Sequence, residues 1–360
     1  MTSMTLQRET AAAAARVPTH RIADDKAMLK AAAELTRDLV QAKPAIYWAD
    51  MVGSAVLGYG ALVAATLLPG GWAVLAGVVA VLALYRAMSF IHEVSHLRPS
   101  AVPGFRAGYN ACVGVPMLIP SFMYEGVHNL HHAKTRYGTA EDPEYLPLAL
   151  MKPWTLPVFI LVSALAPVAL LFRYAVLAPV SLVVPALRRT VVERYSALAI
   201  NPVFRRRSPE GDAKRQWDRV EALASLWAIA LVALVTTGVL PLRAFVIGMA
   251  VASAVAVLNQ VRTLVAHLWE NEGEAMTVTA QYLDSVNVPP PALLPGLWAP
   301  VGLRYHALHH LLPSVPYHNL GEAHRRITAA VEPGSPYHKA SYSGLPFLVA
   351  KIGRSTLVRR

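Results

Sequence analysis

The chain has 360 residues, of which 55% are hydrophobic and only 15% charged, and its mean hydropathy is +0.39. A soluble domain carries about 25% charged residues, so the composition argues against a soluble fold and for a polytopic membrane protein. The net charge of +11 requires no nucleic acid, since basic cytoplasmic loops give the same balance, and the single cysteine, Cys112, excludes a disulfide framework or a cysteine metal site.

Residues 1–44 are polar and Ala-rich, and the first twenty lack the apolar run of a secretory signal. Within them Met28, Ala32, Leu35 and Leu39 recur at helical spacing behind Asp24 and Asp25, which predicts an amphipathic cytoplasmic helix. About 20 apolar residues cross a bilayer. Residues 45–68 and 72–91 do so, joined by the tight turn "PGG", with Asp50 and Arg86 inside them. The second span continues directly into "HEVSH".

Residues 111–123 are apolar but too short to span, and 156–187 are interrupted by three prolines and Arg173. That second segment reads either as a tight hairpin or as a pair of interfacial helices. A basic loop (188–219) precedes two further spans, 221–240 and 243–265. The outer turns hold only Arg243, whereas 1–44, 188–219 and the C-terminal tail are rich in Lys and Arg, which places these three segments in the cytoplasm. The expected fold is an all-α integral membrane protein. It has about four transmembrane helices in two hairpins, interfacial helices and a cytoplasmic histidine-box domain. Three parts are expected: a cytoplasmic N-terminal segment (1–44), a membrane domain (45–330) and a basic tail (331–360).

Nine of the 13 histidines are clustered. His92 and His96 end the second span; His128, His131 and His132 form "HNLHH"; His267 follows the last span; His306, His309 and His310 form "HALHH". The topology puts all nine on one membrane side. Positions i, i+3 and i+4 share a helix face, so the three imidazoles of each H-x-x-H-H box are expected to converge on one point. Taken alone, H-E-x-x-H is a zinc-protease signature with Glu93 as base. One catalytic zinc takes about three protein ligands, and nine imidazoles suit two metals better. Imidazole by itself does not name the metal. A histidine-rich metal carrier is the non-enzymatic alternative, but the boxes gather at one surface and do not line a path across the bilayer. Glu93, Asp142, Glu144, Glu270 and Asp284 lie near the boxes in sequence and are candidates to hold the second ring nitrogen of a ligating histidine.

The order and spacing of HEVSH, HNLHH and HALHH resemble the membrane-bound fatty acid desaturase family, a superfamily that also holds hydroxylases and carotenoid ketolases. "HALHHLLPSVPYHNL", "VRTLVAH" and Asp284–Ser285 add to the likeness, which covers roughly residues 45–330. The resemblance implies a non-haem centre of two iron ions ligated by all nine clustered histidines, and the use of O2 with two external electrons against an unactivated C–H bond. It implies, first, desaturation of an acyl chain of a fatty acid, acyl thioester or membrane lipid. The alternative is a hydroxylase or ketolase acting on a fatty chain, sphingoid base or carotenoid; an intramembrane zinc protease is a distant third. In some relatives an asparagine one turn before the isolated histidine holds a metal-bound water. Here that position is Thr263, with Asn259 a turn further back, which puts such a water in doubt. No haem, flavin or iron–sulfur motif is visible, so an external donor such as a ferredoxin or cytochrome b5 is expected.

Overall fold

The computed structural model describes residues 22–292 and 294–357. The first twenty residues, read from sequence as lacking the apolar run of a secretory signal, lie outside those described. Regular structure is helical; among the described residues the only β pairing is isolated bridges, including His267 to Ser285 and Asn287 to Tyr305.

Helix α1 (Lys26–Leu35) starts at Asp25, whose carboxylate accepts from the Met28 amide. Its apolar face, Met28 and Ala32, is buried as expected. That face packs not on lipid but on Ala323 and Ile327 of a late helix. Helices α2 (Pro44–Leu67) and α3 (Gly70–His96) form an antiparallel hairpin. Gly58 lets them approach closely: a Cβ there would stand 2.7 Å from the Leu84 side chain. Two charges lie inside this apolar pair, and each answers the other. Arg86 donates to Asp50 at 2.7 and 2.5 Å, and the Tyr317 hydroxyl donates to the same carboxylate at 3.0 Å. Pairing is what makes charge tolerable at such depth.

The first H-x-x-H-H box forms the short helix α4 (His128–His131). The proline-interrupted segment then becomes one run, α5 (Thr155–Ser181), made of α-helical turns with a 3-10 and a π-helical stretch between them. Its prolines stand in the first turns of the pieces that contain them, where no backbone donor is lost. Both of its ends pack on the side that carries the histidines. Phe159 meets Trp269, and Arg173 forms a buried ion pair with Glu221 at 2.5 Å while donating to Ser196. Helix α6 (Pro185–Tyr195) follows, and then α7 (Gly211–Thr236) and α8 (Leu242–Leu264) form the second hairpin. The Arg243 guanidinium donates to the Thr66 carbonyl at 3.2 Å, so the tips of the two hairpins meet at the end opposite the histidines.

Five helices, α2, α3, α5, α7 and α8, are long and apolar enough to cross a membrane by length and composition. Beyond α8, the chain forms α9 (Val278–Asp284), α10 (His306–Leu311, the last box), α11 (Leu320–Ala330) and α12 (Leu345–Ser355). Residues 331–357 pack into the same body: Leu348 and Ile352 join Trp269, Leu148 and Val286 in one apolar cluster. The "RRR" at 205–207 is not a uniform charge run. Arg206 turns inward, donating to the carbonyls of Phe122, Ser196 and Glu125 and stacking on Trp217. Its neighbours Arg205 and Arg207 are exposed.

Candidate metal centre

The nine clustered histidines come together, in two groups. His92, His96, His128, His132 and His309 form one; His131, His267, His306 and His310 form the other. Within each group one nitrogen per ring lies within 4.8 Å of all the rest.

Neither H-x-x-H-H box converges on a single point. In each box i and i+4 share a group and i+3 joins the other one. The cause is helical geometry. At 100° per residue, i and i+4 lie about 40° apart, whereas i+3 and i+4 lie about 100° apart. The two boxes are used in opposite senses. His128 and His132 enter the five-histidine group and send His131 across; His306 and His310 enter the four-histidine group and send His309 across. Each short helix thereby ties the two groups together.

The inward-facing atoms are the Nε2 atoms. His132 and His128, His309 and His96, and His306 and His267 are each 3.0 Å apart at Nε2. His309 to His132 and His310 to His306 are 3.2 Å. His92 Nε2 is buried with no partner at all. Carboxylates and hydroxyls hold the outer Nδ1 atoms of His92, His128, His131 and His267, whereas those of His306 and His310 are buried without a partner. His131 Nδ1 meets both oxygens of Asp142 at 2.9 and 3.0 Å. His128 Nδ1 meets Glu144 at 2.8 Å and the Tyr124 hydroxyl at 2.9 Å. His267 Nδ1 meets the Tyr137 hydroxyl at 2.8 Å and Ser285 Oγ at 3.2 Å, and Tyr137 in turn donates to Asp284 at 2.8 Å. A carboxylate on Nδ1 fixes that proton there and leaves the Nε2 lone pair directed inward.

Burial first, and the neighbouring imidazoles second, hold His128, His132, His306, His309 and His310 well below the ordinary histidine pKa; for His267 the next causes are His131 and Arg262. These rings are neutral, which is the ligating form. His131 goes the other way: burial lowers its pKa, but the Asp142 carboxylate outweighs it and leaves the value raised. Burial also raises Glu144 to about 7 and Asp284 to about 6.

Of the carboxylates singled out by sequence, Asp142, Glu144 and Asp284 thus stand behind histidines. Glu93 lies behind His92, with 3.4 Å from its Oε1 to Nδ1, and accepts from the Tyr47 hydroxyl at 2.5 Å and the Tyr317 amide at 3.3 Å. It therefore sits on the outer side of the ring, turned away from the Nε2 atoms that a protease base would have to face. Glu270 approaches through its backbone amide, 3.4 Å from Asp284. Asn259 stands apart from these carboxylates. Among the described residues it bonds to no histidine; it lies two helical turns back from His267 and lines a cavity. The tyrosines Tyr124, Tyr137 and Tyr47 were not visible in the sequence as part of this network. They sit far along the chain from the groups they bond, and no spacing marks them. His318 and His324 stay outside both groups, bonded to the Lys43 amide and the Tyr337 hydroxyl.

Two cavities reach the histidines from different sides. One, of about 430 Å³, touches His92 of the first group and His131, His267 and His306 of the second. Its walls are largely apolar, and Phe159, Val162 and Leu170 of α5 close it toward the lipid-facing surface. The other, of about 620 Å³, reaches His96 and Glu93 past Gln41, Arg98, Ser100 and Ser314.

Sequence comparison adds to this geometry. A sequence model of the fatty acid desaturase family ("Fatty acid desaturase") matches residues 66–341. A curated relative, a ceramide hydroxylase of Caulobacter vibrioides (strain NA1000 / CB15N), is 49% identical over 326 residues, which cover 90% of this chain and 93% of the relative.

Proposed function

The chain belongs to the fatty acid desaturase family, an oxidoreductase of the desaturase/hydroxylase superfamily, and on that premise we propose that it hydroxylates a ceramide-like membrane lipid at a centre of two iron ions held by the nine histidines. The observation that carries this reading is the 49% identity to a ceramide hydroxylase along nearly the whole chain. The initial expectation of desaturation gives way to the hydroxylase alternative on that ground.

The residues fit the metal. His92 Nε2 is a buried ring nitrogen without a partner, and His128 and His131 are held at Nδ1 by carboxylates, which leaves their Nε2 atoms to face inward. Nine imidazoles in two adjoining groups exceed what one four-coordinate zinc takes and suit two ions, and imidazole is a suitable ligand for iron. Bound iron supplies the activation of O2 and the cleavage of an unactivated C–H bond.

The protein does the rest. The cavity walls exclude water and hold the chain, at about 0.8 kcal/mol for each buried CH2. The lipid enters sideways past α5, which suits a membrane lipid. Asp142 and Glu144 hold His131 and His128 in orientation. In sum, a lipid C–H, O2, two electrons and two protons give the lipid alcohol and water. The electrons come from an external donor of the ferredoxin or cytochrome b5 type, which approaches the basic, histidine-bearing side. That side faces the cytoplasm by the positive-inside rule.

The test is mass spectrometry of lipids from a host expressing the protein, against a His309→Ala control. Gain of one oxygen on a ceramide is expected. Loss of two hydrogens instead would make the protein a desaturase, and an unchanged lipid profile would sink both.

A further inference from the structure

We infer that Arg262 determines where on the lipid the oxygen enters, by holding an oxygen atom of the substrate's polar end beside the histidines. This rests on the hydroxylase reading above. Arg262 is in the last turn of α8 and lines the same cavity as His92, His131, His267 and His306. Its surroundings there are largely apolar, with Met88, Ile91, Phe159 and Leu303 in the lining and Glu144 and Gln260 among the polar groups. Its Nε is buried and has no hydrogen-bond partner, and among the described residues it forms no ion pair. The Tyr85 hydroxyl, which donates to the Trp298 carbonyl at 3.0 Å, accepts from another N–H of the guanidinium and leaves the Nε–H unanswered.

A guanidinium stays charged at any ordinary pH and offers five N–H donors and no acceptor. With its buried Nε–H left without an acceptor it is unfavourable, and a ligand oxygen removes that cost. The geometry therefore selects a lipid that brings an amide carbonyl or hydroxyl oxygen deep into the cavity. Because Arg262 and four histidines line one chamber, the carbon that reacts is close to that oxygen and not at mid-chain. The hydrocarbon tail then runs outward along Phe159, Val162 and Leu170 toward the lipid-facing helix.

The experiment measures binding to purified, metal-loaded wild type, R262Q and R262K by native mass spectrometry, with four probes: N-palmitoyl-sphinganine, palmitamide, 1-hexadecanol and hexadecane. R262Q should bind N-palmitoyl-sphinganine about tenfold more weakly, the size of one lost charged hydrogen bond. It should bind hexadecane as wild type does. Whichever of palmitamide and hexadecanol weakens in parallel names the oxygen that is held. R262K, which keeps the charge and loses the planar fork, should fall between the two; should R262Q not fold, R262K is read against hexadecane in the same way. In turnover, the hydroxyl should sit near the polar end with wild type and spread along the chain with the variant. Equal weakening for hexadecane, or no weakening for any oxygen-bearing probe, overturns the role of Arg262. A wild type that binds N-palmitoyl-sphinganine but returns it unoxidised overturns the hydroxylase reading alone.

Discussion

The five-histidine and four-histidine groups are built from the same boxes but sit in different surroundings. In the first, His96 and His132 are only partly buried, and His96 borders the larger, more polar cavity. In the second, His131, His267 and His306 are buried and His310 keeps a little exposure. Behind this group stand Asp142, Tyr137, Asp284 and Ser285, none of which has exposed surface. The first group is thus open on one side to small polar species, while the second is enclosed by a hydrogen-bonded wall. The cavity proposed for the lipid meets both groups on the remaining side. The difference suggests a division of labour within one centre: access at one metal position and rigidity at the other.

The largest expected effect strikes both groups through their ligands. His309→Ala should lower turnover at least about a hundredfold and bring the metal content from two ions per chain toward one, and His267→Ala should do the same from the other group. Elemental analysis with lipid mass spectrometry checks this; full metal content and activity in either variant would break the two-site picture. Next in size are the supporting carboxylates. Asp142→Ala should weaken metal binding at the four-histidine group by about 10–100-fold, and Glu144→Ala should do so at the five-histidine group. Metal titration read by a spectroscopic signature that separates the positions would show whether each substitution acts on its own group. If both weaken the same position, the assignment by hydrogen bonds is wrong.

Metal removal sharpens the comparison further. A hydrophilic chelator should strip the protein in two phases, the faster from the five-histidine group; a single phase would erase the contrast in access. The smallest effect is expected from Tyr137→Phe. It removes the hydroxyl that joins His267 to Asp284 but keeps the packing, and should cost about 1–2 kcal/mol, measured as a lower melting temperature. A variant as stable as wild type would mean that the wall owes little to this link.

Much of this was legible in advance because hydrophobic periodicity and box spacing are local properties. The two long hairpins, the burial of Met28 and Ala32, and the nine histidines were all read from residue order. The segment 156–187 was ambiguous because its prolines permit either a break or a kinked continuation. Contacts at its two ends, Phe159 with Trp269 and Arg173 with Glu221, decide its course. Arg262 was hidden inside a stretch of the last span, where one arginine looks like any inner-end positive charge. Only its unpartnered Nε and its cavity distinguish it.

By itself, the sequence determined the membrane character, the helical hairpins and the presence of nine imidazoles at one side, since each follows from composition or from spacing along a single helix. The tertiary structure decided how those imidazoles divide. In "HEVSH" both histidines serve the five-membered group, and in each H-x-x-H-H box one histidine crosses to the other group. That allocation depends on the rotation of three short helical segments about their own axes, which is set by long-range contacts such as Asp142 with His131 and Glu93 with the Tyr317 amide. A motif specifies the angle between its own side chains; only packing against the rest of the chain specifies where that angle is aimed.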